Sequence, residues 1–326
     1  SQLHGTVEVA GQRAEVIIAN PAGIQVNGGT FLNASRVTLT TGTPLFNDKG
    51  IKGYNVTQGL ISIDGKGLNT LTADYTSILA RAAQINAGVW AQQLQLATGQ
   101  NTIATQDNEI VVTATKIDNT RTAAPRVALD VTHLGGMYAG KIMLIGTEAG
   151  LGVNNAGLIQ STRAPLTLDH NGWLTNSGTF YSQKDTHIAT QGQITHSGTI
   201  AAQGAVQVQS KAERKDGEAA IHGTSRSLIA SGLQGDGTFV QGGAIRLNTN
   251  GNIQLNGQLT SLDDIQVHGA RIDATGSQWA GQQVALNTQL PVVGGGASTA
   301  ADTGINTTSA TLVASRLKPY ALNARR

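Results

Sequence analysis

Asn176-Ser177-Gly178-Thr179-Phe180 is one copy of a short pattern that recurs along the second half of the chain. The pattern is a polar turn followed by a glycine, a small or polar residue and an aliphatic or aromatic residue. Its glycines are separated by about 20 residues or twice that, and such a fixed return is typical of solenoid folds. The other copies are Asn155-Ala156-Gly157-Leu158-Ile159, His196-Ser197-Gly198-Thr199-Ile200, Gly235-Asp236-Gly237-Thr238-Phe239 and Leu255-Asn256-Gly257-Gln258-Leu259.

Short alternating segments lie between these turns, among them Val206-Gln207-Val208, Ile245-Arg246-Leu247 and Ile265-Gln266-Val267. Apolar–polar alternation predicts strands, and pairs such as Asn250-Gly251 supply turns. Asn-Gly is also compatible with β-hairpins, but a meander of hairpins needs no constant return, whereas a coil does. We therefore predict an all-β fold, a right-handed parallel β-helix (solenoid) of about 20 residues per turn and about sixteen turns.

Two segments depart from this pattern. The unit between Gly198 and Gly237 is blurred and contains the charged stretch Lys211–Glu218, which mixes both signs and is expected to be an inserted, solvated loop. In the first half, Ser77–Gln93 places apolar residues at helical spacing, and Ser77 could cap a helix. Gly88 and the alternation that follows it favour strands, so both alternatives stay open, with strands preferred.

The composition narrows the possible functions. Charged residues make up 13% of the 326 residues and the net charge is +2, with aliphatic residues and Thr spread throughout, so the chain is not of the disordered class. No basic run with interleaved aromatics occurs, which argues against nucleic acid as a partner. Cysteine is absent, which excludes disulfides, zinc–thiolate sites and thiol catalysis.

Residues with catalytic potential are sparse. The nearest cluster of carboxylates is Asp263-Asp264 with Asp273, and turn aspartates without a convergent basic residue are expected to accept hydrogen bonds from backbone amides. The histidines are scattered, and His133 and His196 are expected at turns or on the outside. We predict no catalytic residue, no cofactor and no metal, and hence no enzyme.

Several ordered motifs resemble one known family. The stretch from Glu8 to Ile24, with Asn20-Pro21-Ala22-Gly23-Ile24 at its end, is similar to the secretion domain of filamentous haemagglutinins and contact-dependent growth-inhibition exoproteins. The resemblance covers about 1–160 and continues as haemagglutinin-type repeats to about 290. Further matches are Phe31-Leu32-Asn33, Leu39-Thr40-Thr41-Gly42, Ile85-Asn86-Ala87-Gly88-Val89-Trp90-Ala91, Leu134-Gly135-Gly136-Met137-Tyr138-Ala139, Ile145-Gly146-Thr147-Glu148 and Gly150-Leu151-Gly152-Val153.

The resemblance implies a domain organisation and a function. Residues 1–145 would be the C-terminal part of a two-partner secretion (haemagglutination activity) domain, 146–290 β-helix repeats, and 291–326 a Gly/Ser/Thr-rich linker with the start of a further repeat. The chain would be a fragment of a large filamentous adhesin, secreted or held at the bacterial cell surface, and a monomeric rod. Alternatives are the stalk of a growth-inhibition toxin without its C-terminal toxin and, less favoured, a β-helical polysaccharide-degrading enzyme.

The partners implied by the resemblance are an outer-membrane β-barrel transporter and a host or bacterial cell-surface receptor. The family's secretion motif falls on Asn20, Pro21, Gly23 and Ile24, within the segment needed for secretion; a β-turn explains the same residues structurally. One branch of the family carries Cys-x-x-Cys after the Ile. This chain has Val26 and Gly29 there, so any role of that pair is missing.

Overall fold

The computed structural model describes residues 1–48, 50–106, 108–120, 123–213, 217–290, 292–294 and 297–302. Most of the predicted linker 291–326 therefore lies outside the described residues. Those residues form strands, turns and loops without any helix, so they include no helical segment able to cross a membrane. The chain divides into two compact units, unit 1 with residues 1–161 and 168–173 and unit 2 with residues 162–167 and 174–326.

The strands of unit 1 are β1 (Gln2–Glu8), β2 (Ala14–Ala19), β3 (Ile24–Leu32), β4 (Ala34–Thr40), β5 (Thr43–Asn47), β6 (Gly50–Val56), β7 (Leu60–Thr70), β8 (Tyr75–Ala80), β9 (Ala82–Ile85), β10 (Gly88–Thr98), β11 (Asn101–Gln106), β12 (Glu109–Ala114), β13 (Val127–Val131), β14 (Gly136–Gly146), β15 (Gly152–Asn155) and β16 (Leu158–Ser161). The strands β1, β3, β7, β9, β13 and β15 pair in that order, each parallel to the next, and so mark six turns of a coil. The segment Ser77–Gln93 lies in β8, β9 and β10, which confirms the strand interpretation over the helix.

The turns of unit 1 are unequal because the chain leaves the coil twice. Val26 pairs with Ile63, and Ile85 pairs with Val131. In both cases the chain takes many more than 20 residues to return to the same side of the coil. The two excursions form a four-stranded antiparallel sheet in the order β12-β11-β6-β5, which we call the flanking sheet. Its apolar side chains pack on the outside of the coil in one cluster. This cluster contains Tyr54, Val56, Ile103 and Ile110 from the sheet and Leu79 and Ala97 from the coil.

The strands that follow are β17 (Leu166–His170), which has residues of each unit, and, in unit 2, β18 (Leu174–Asn176), β19 (Thr179–Ser182), β20 (Thr186–Thr190), β21 (Ile194–His196), β22 (Thr199–Ala202), β23 (Val206–Ser210), β24 (Ala219–Gly223), β25 (Leu228–Ala230), β26 (Ile245–Thr249), β27 (Asn252–Leu255), β28 (Gln258–Thr260), β29 (Ile265–Gly269), β30 (Arg271–Asp273), β31 (Gln278–Thr288) and β32 (Ala297–Asp302). The parallel stack β18, β21, β24, β27 and β30 marks five turns. Leu174 pairs with Ile194 and Ile245 with Ile265, so the predicted period of about 20 residues holds there.

The fold class predicted from the sequence, an all-β parallel β-helix, is confirmed. The predicted number of about sixteen turns is wrong for the described residues, since their longest parallel stacks contain six strands in unit 1 and six in unit 2, the latter being β19, β22, β25, β28, β31 and β32. A chain length divided by one period gives the number of turns only if every residue lies in the coil. Residues that leave the coil, above all those of the flanking sheet, add length without adding a turn.

One predicted copy of the repeat is also wrong. Thr199 pairs with Leu228, and Leu228 with Gln258, so the chain makes two turns from Gly198 to Gly257 and not three. The copy at 235–239 lies instead in a loop after β25, in which Leu233 and Phe239 form an isolated antiparallel bridge. Gly-Asp-Gly occurs in loops as well as in the turns between strands of a coil, because both need residues that favour turns. The stretch 211–218 is a loop between β23 and β24 in its described part, as predicted.

The core consists of inward side chains stacked in columns from turn to turn. In unit 2 one column contains Phe180, Ile200, Ile229, Leu259 and Trp279, each on the strand next to the previous one. All five are at most 3% exposed. Burial of each such side chain contributes about 1.5–3 kcal/mol, so the columns stabilise the coil along its length.

His196 belongs to this interior, and its predicted position at a turn or on the outside is wrong. The side chain is 1% exposed, and Asn176, its neighbour in the register, donates from Nδ2 to the ring Nδ1 at 3.1 Å. The ring Nε2 lies 3.1 Å from the carbonyl oxygen of Leu228. Burial lowers the pKa of His196 to about 4, so the ring is neutral at pH 7. His133 is exposed, as predicted.

Candidate functional site: the secretion-motif turn

The motif residues predicted from the sequence lie together in the turn between β2 and β3. The N–H of Gly23 donates to the carbonyl oxygen of Asn20 at 2.9 Å, which closes a β-turn with Pro21 at its second position. The N–H of Ala22 donates to Oδ1 of Asn20 at 3.0 Å. The β-turn interpretation of the motif is confirmed. Asn20 accepts both hydrogen bonds of the turn, and Pro21 occupies its second position.

Gly23 and Ile24 join this turn to the coil. Gly23 has φ +114°, and a Cβ there would lie 2.9 Å from the carbonyl oxygen of Leu60, so glycine is required for two independent reasons. Ile24 is 2% exposed and pairs with Ile61 in the inner column of the next turn. A side chain buried in this way anchors the turn but cannot contact a partner in the folded state.

The surface that this motif presents is therefore small. Pro21 and Ala22 are exposed, whereas Asn20 and Gly23 are half-buried. Gln58 donates from Nε2 to the carbonyl oxygen of Pro21 at 3.4 Å, and Asn20 donates from Nδ2 to Ser1 Oγ at 2.9 Å. The structure thus brings the four predicted residues into one turn but divides them between a surface tip and a buried anchor.

A buried ion pair in unit 1 was missed by the sequence analysis. Arg81, between β8 and β9, donates from Nη2 to Glu148 Oε1 at 2.7 Å and from Nε to Oε2 at 3.1 Å. Both side chains are 2% exposed. Arg81 also donates to Asn119 Oδ1, which fastens the loop after β12 to the coil. A single Arg inside the apolar run Ile78–Ala83 was the available signal, since a charge at a buried position requires a partner.

The flanking sheet and its polar contacts were also missed. Gln95, on the outside of β10 and 1% exposed, accepts the N–H of Ile110 at 3.1 Å and donates to the carbonyl oxygen of Asn108 at 3.2 Å. Arg36 donates to the same carbonyl oxygen at 3.1 Å and lies 4.7 Å above the Tyr75 ring. These contacts hold the β11–β12 hairpin on the coil.

The carboxylates considered for catalysis have structural partners. Asp263 Oδ2 accepts the N–H groups of Gly242 and Gly243, each at 2.8 Å. Asp273 Oδ1 accepts the N–H of Thr275 at 3.0 Å. These aspartates bind backbone amides, as the sequence analysis expected. Across the part of the chain that the structure describes, no three His, Asp or Glu side chains are grouped so that they could hold a metal ion.

Comparison with known proteins decides the family. The model of the TPS secretion domain matches residues 1–176, more than half of the chain and all six turns of unit 1. The chain belongs to this family. The TPS secretion domain belongs to exoproteins that are exported to the cell surface or the extracellular space, and the secretion-motif turn lies within the matched residues.

Relatives of the chain are much longer proteins. It is 44% identical over 208 residues to the toxin CdiA of Yersinia pestis, which covers 63% of this chain and 6% of that protein. It is 47% identical over 179 residues to the tRNA nuclease CdiA-2 of Burkholderia pseudomallei (55% and 6%). It is 33% identical over 312 residues to the 16S rRNA endonuclease CdiA of Enterobacter cloacae (89% and 9%). The chain thus spans less than a tenth of the length of these relatives.

A solved structure is also similar. The crystal structure of a filamentous hemagglutinin secretion domain matches 77% of this chain and 68% of its own, at 27% identity and a TM-score of 0.45.

Proposed function

We propose that the chain is the C-terminal part of the secretion domain and an adjoining β-helical stalk segment of a large filamentous adhesin. An outer-membrane β-barrel transporter of the two-partner system would recognise it and release the protein at the bacterial surface or into the medium. Family membership carries this proposal. The structure supports it with an elongated series of stacked turns in each unit and with a motif turn that exposes Pro21 and Ala22.

The coil suits export of an unfolded chain. Each turn stacks only on its neighbours, so folding can begin at one end and propagate as the chain emerges. Each finished turn buries new aliphatic side chains, which opposes return through the transporter. We propose that folding outside the cell thereby favours forward movement, with the finished stalk a monomeric rod.

Secretion tests the role of the motif. The chain, preceded by the upstream residues and signal peptide of its own reading frame, is co-expressed with its transporter, and the protein in the medium is quantified. Ile24→Asp should abolish secretion of folded protein because it places a charge in the core. Asn20→Ala and Pro21→Ala, which alter the exposed tip, should reduce it severalfold.

A matched control separates secretion from folding. Asp236→Ala removes the same type of side-chain turn contact, since Asp236 Oδ1 accepts the N–H of Thr238 at 2.9 Å in a loop of unit 2. This variant should be secreted like the wild type. Purified Asn20→Ala should unfold at nearly the same urea concentration as Asp236→Ala. If Asn20→Ala and Pro21→Ala are both secreted as well as Asp236→Ala, the tip of the turn has no part in recognition.

A second candidate is the stalk of a contact-dependent growth-inhibition protein. The specific observation in its favour is that the three relatives named above are a toxin and two nucleases. Those activities belong to those proteins, and a toxin domain would lie in sequence beyond this chain. Bacteria expressing the complete reading frame should adhere to host or bacterial cells through a surface receptor if the protein is an adhesin. They should instead kill susceptible neighbours if it is a growth inhibitor.

A further inference from the structure

An outward column of unit 1 carries two aromatic rings side by side. Thr30, Asn69, Trp90, Tyr138 and Gln160 occupy equivalent positions on successive parallel strands β3, β7, β10, β14 and β16. The ring centroids of Trp90 and Tyr138 are 6.1 Å apart, and their planes differ by 15°. Outside the core, such a pair requires an explanation.

Both rings lie flat on glycines of their own strands. A Cβ on Gly88 would lie 2.3, 2.4 and 2.9 Å from Cη2, Cζ2 and Cζ3 of Trp90. A Cβ on Gly136 would lie 2.6, 2.8 and 2.9 Å from Oη, Cζ and Cε2 of Tyr138. Such similar distances require that each ring faces the glycine, because an edge-on ring would hold its other atoms further away. The two rings therefore lie side by side, each flat against the sheet.

The contact with glycine accounts for only one face of each ring. It covers the backbone where no side chain would, a known use of aromatic residues beside glycine in sheets. The opposite face of each ring points away from the sheet. Trp90 is 37% exposed, whereas Trp279 in the core column is 3% exposed. The coplanar pair thus presents an aromatic surface to solvent.

We propose that Trp90 and Tyr138 form a binding platform for an uncharged glycan chain that runs along the coil axis of unit 1. Aromatic faces are electronegative, which favours contact with the C–H groups on one side of a pyranose ring. Asn69 and Gln160, at either end of the aromatic pair, offer amides that can both donate to and accept from sugar hydroxyls. The column contains no charged residue, so it favours a neutral glycan over an anionic one.

The inference is independent of the secretion role and is tested on the folded 326-residue chain. Binding of cellohexaose, chitohexaose, maltohexaose and a heparin hexasaccharide is measured by saturation-transfer NMR and by calorimetry. At least one neutral hexasaccharide should bind and receive saturation at its ring C–H protons. Trp90→Ala and Tyr138→Ala should each weaken that binding about tenfold, the effect of losing one aromatic contact. Trp90→Phe should keep most of it.

Phe46→Ala is the matched control, because Phe46 is 67% exposed on the flanking sheet, away from the aromatic column. It should bind the hexasaccharide like the wild type, and urea unfolding should show that all variants are folded. Absence of binding to every neutral probe would overturn the proposal. Binding only to heparin, or equal binding by wild type and Trp90→Ala, would also overturn it. So would self-association that requires Trp90, which would make the platform an interface between copies.

Discussion

Unit 1 and unit 2 each form a parallel coil, but different features of the sequence specify the two coils. In unit 2 the return is 19 or 20 residues in the turns that carry no inserted loop, as for Ile253 with Ile272, and stacked neighbours there are close in sequence. In unit 1 the decisive contacts join residues far apart: Arg81 and Glu148 are separated by 67 residues. A repeating pattern therefore specifies unit 2, whereas single, non-repeating side chains specify much of unit 1.

The second layer of unit 1 explains this difference. The outward face of a coil needs no partner when it carries Thr, Gln and Asn, as β23 does with Gln207 and Gln209. In unit 1 the outward side chains Leu79, Ala97 and Ile145 are apolar and are covered by the flanking sheet. Long excursions must close before they make these contacts, so we expect unit 1 to fold more slowly than unit 2.

The largest expected effect comes from breaking the buried ion pair. Glu148→Ala leaves the guanidinium of Arg81 buried without its carboxylate, which should destabilise unit 1 by about 3–5 kcal/mol. Hydrogen exchange followed by mass spectrometry in increasing urea can measure each unit separately. Peptides from unit 1 should exchange at lower urea than in the wild type, and peptides from 190–290 should not change.

An exposed ion pair of unit 1 supplies the control. Arg13 and Asp74 are 2.7 Å apart with side chains 41% and 54% exposed, so Arg13→Ala should cost less than about 1 kcal/mol. The double variant Arg81→Met/Glu148→Leu should recover most of the lost stability, since it removes both charges. Equal effects of Glu148→Ala and Arg13→Ala would show that unit 1 does not depend on its buried charges.

A pH-dependent effect should mark unit 2. The pKa of His196 is about 4 in the folded state against 6.5 in the unfolded chain, because burial disfavours the charged ring. The unfolded state therefore binds the proton first. The stability of unit 2 should fall as the pH drops from 6.5 toward 4, by up to about 3 kcal/mol, and this group adds no further loss below that.

His196→Asn tests the assignment, because Asn176 occupies the equivalent position one turn earlier. The variant should lose the pH dependence between 6.5 and 4 in peptides of unit 2. His187→Gln, at a half-exposed position on β20, should keep it. If the stability of unit 2 depends on pH in both variants as it does in the wild type, another group is responsible for the acid sensitivity.

The repeating part of the fold was predictable because one glycine-containing corner returns with every turn. The strands around Gly178, Gly198 and Gly257 all follow that rule. The rule failed at Gly237, where a loop uses the same residue types, and at the turn in which Ser227 takes the place of glycine. Turn chemistry is local, so it cannot distinguish a corner of the coil from an inserted loop.

The flanking sheet was not predictable from periodicity, since each of its hairpins occurs once. The turn-like Asn47–Gly50 between β5 and β6 was a local hairpin signal. What the sequence could not supply was the partner, because Tyr54 and Ile103 meet only after the chain has returned to the coil. The motif at 20–24 was found by resemblance, and its turn by the properties of Pro and Gly.

A smaller effect should follow from Gln95, which fixes the flanking sheet. Gln95→Ala leaves the buried N–H of Ile110 and the carbonyl oxygen of Asn108 with fewer partners, at a cost of about 1–3 kcal/mol. Hydrogen exchange should become faster in peptides from 101–114 and should not change in unit 2. Gln92→Ala, on the same strand but half-exposed, should cost about 0.5 kcal/mol or less. Similar exchange in the two variants would mean that apolar packing alone holds the sheet.

The smallest effect is expected at the rim of the same sheet. Lys141 on β14 donates to Glu109 on β12, with side chains 31% and 46% exposed. Such a pair contributes about 0.2–1 kcal/mol, so Lys141→Met should destabilise the flanking sheet by no more than that. The difference from the wild type should shrink in 1 M salt, where charges are screened within about 3 Å. Glu109→Gln should match it, and the double variant should add nothing. A loss above about 2 kcal/mol that salt leaves unchanged would instead mean that this pair contributes as a desolvated ion pair does.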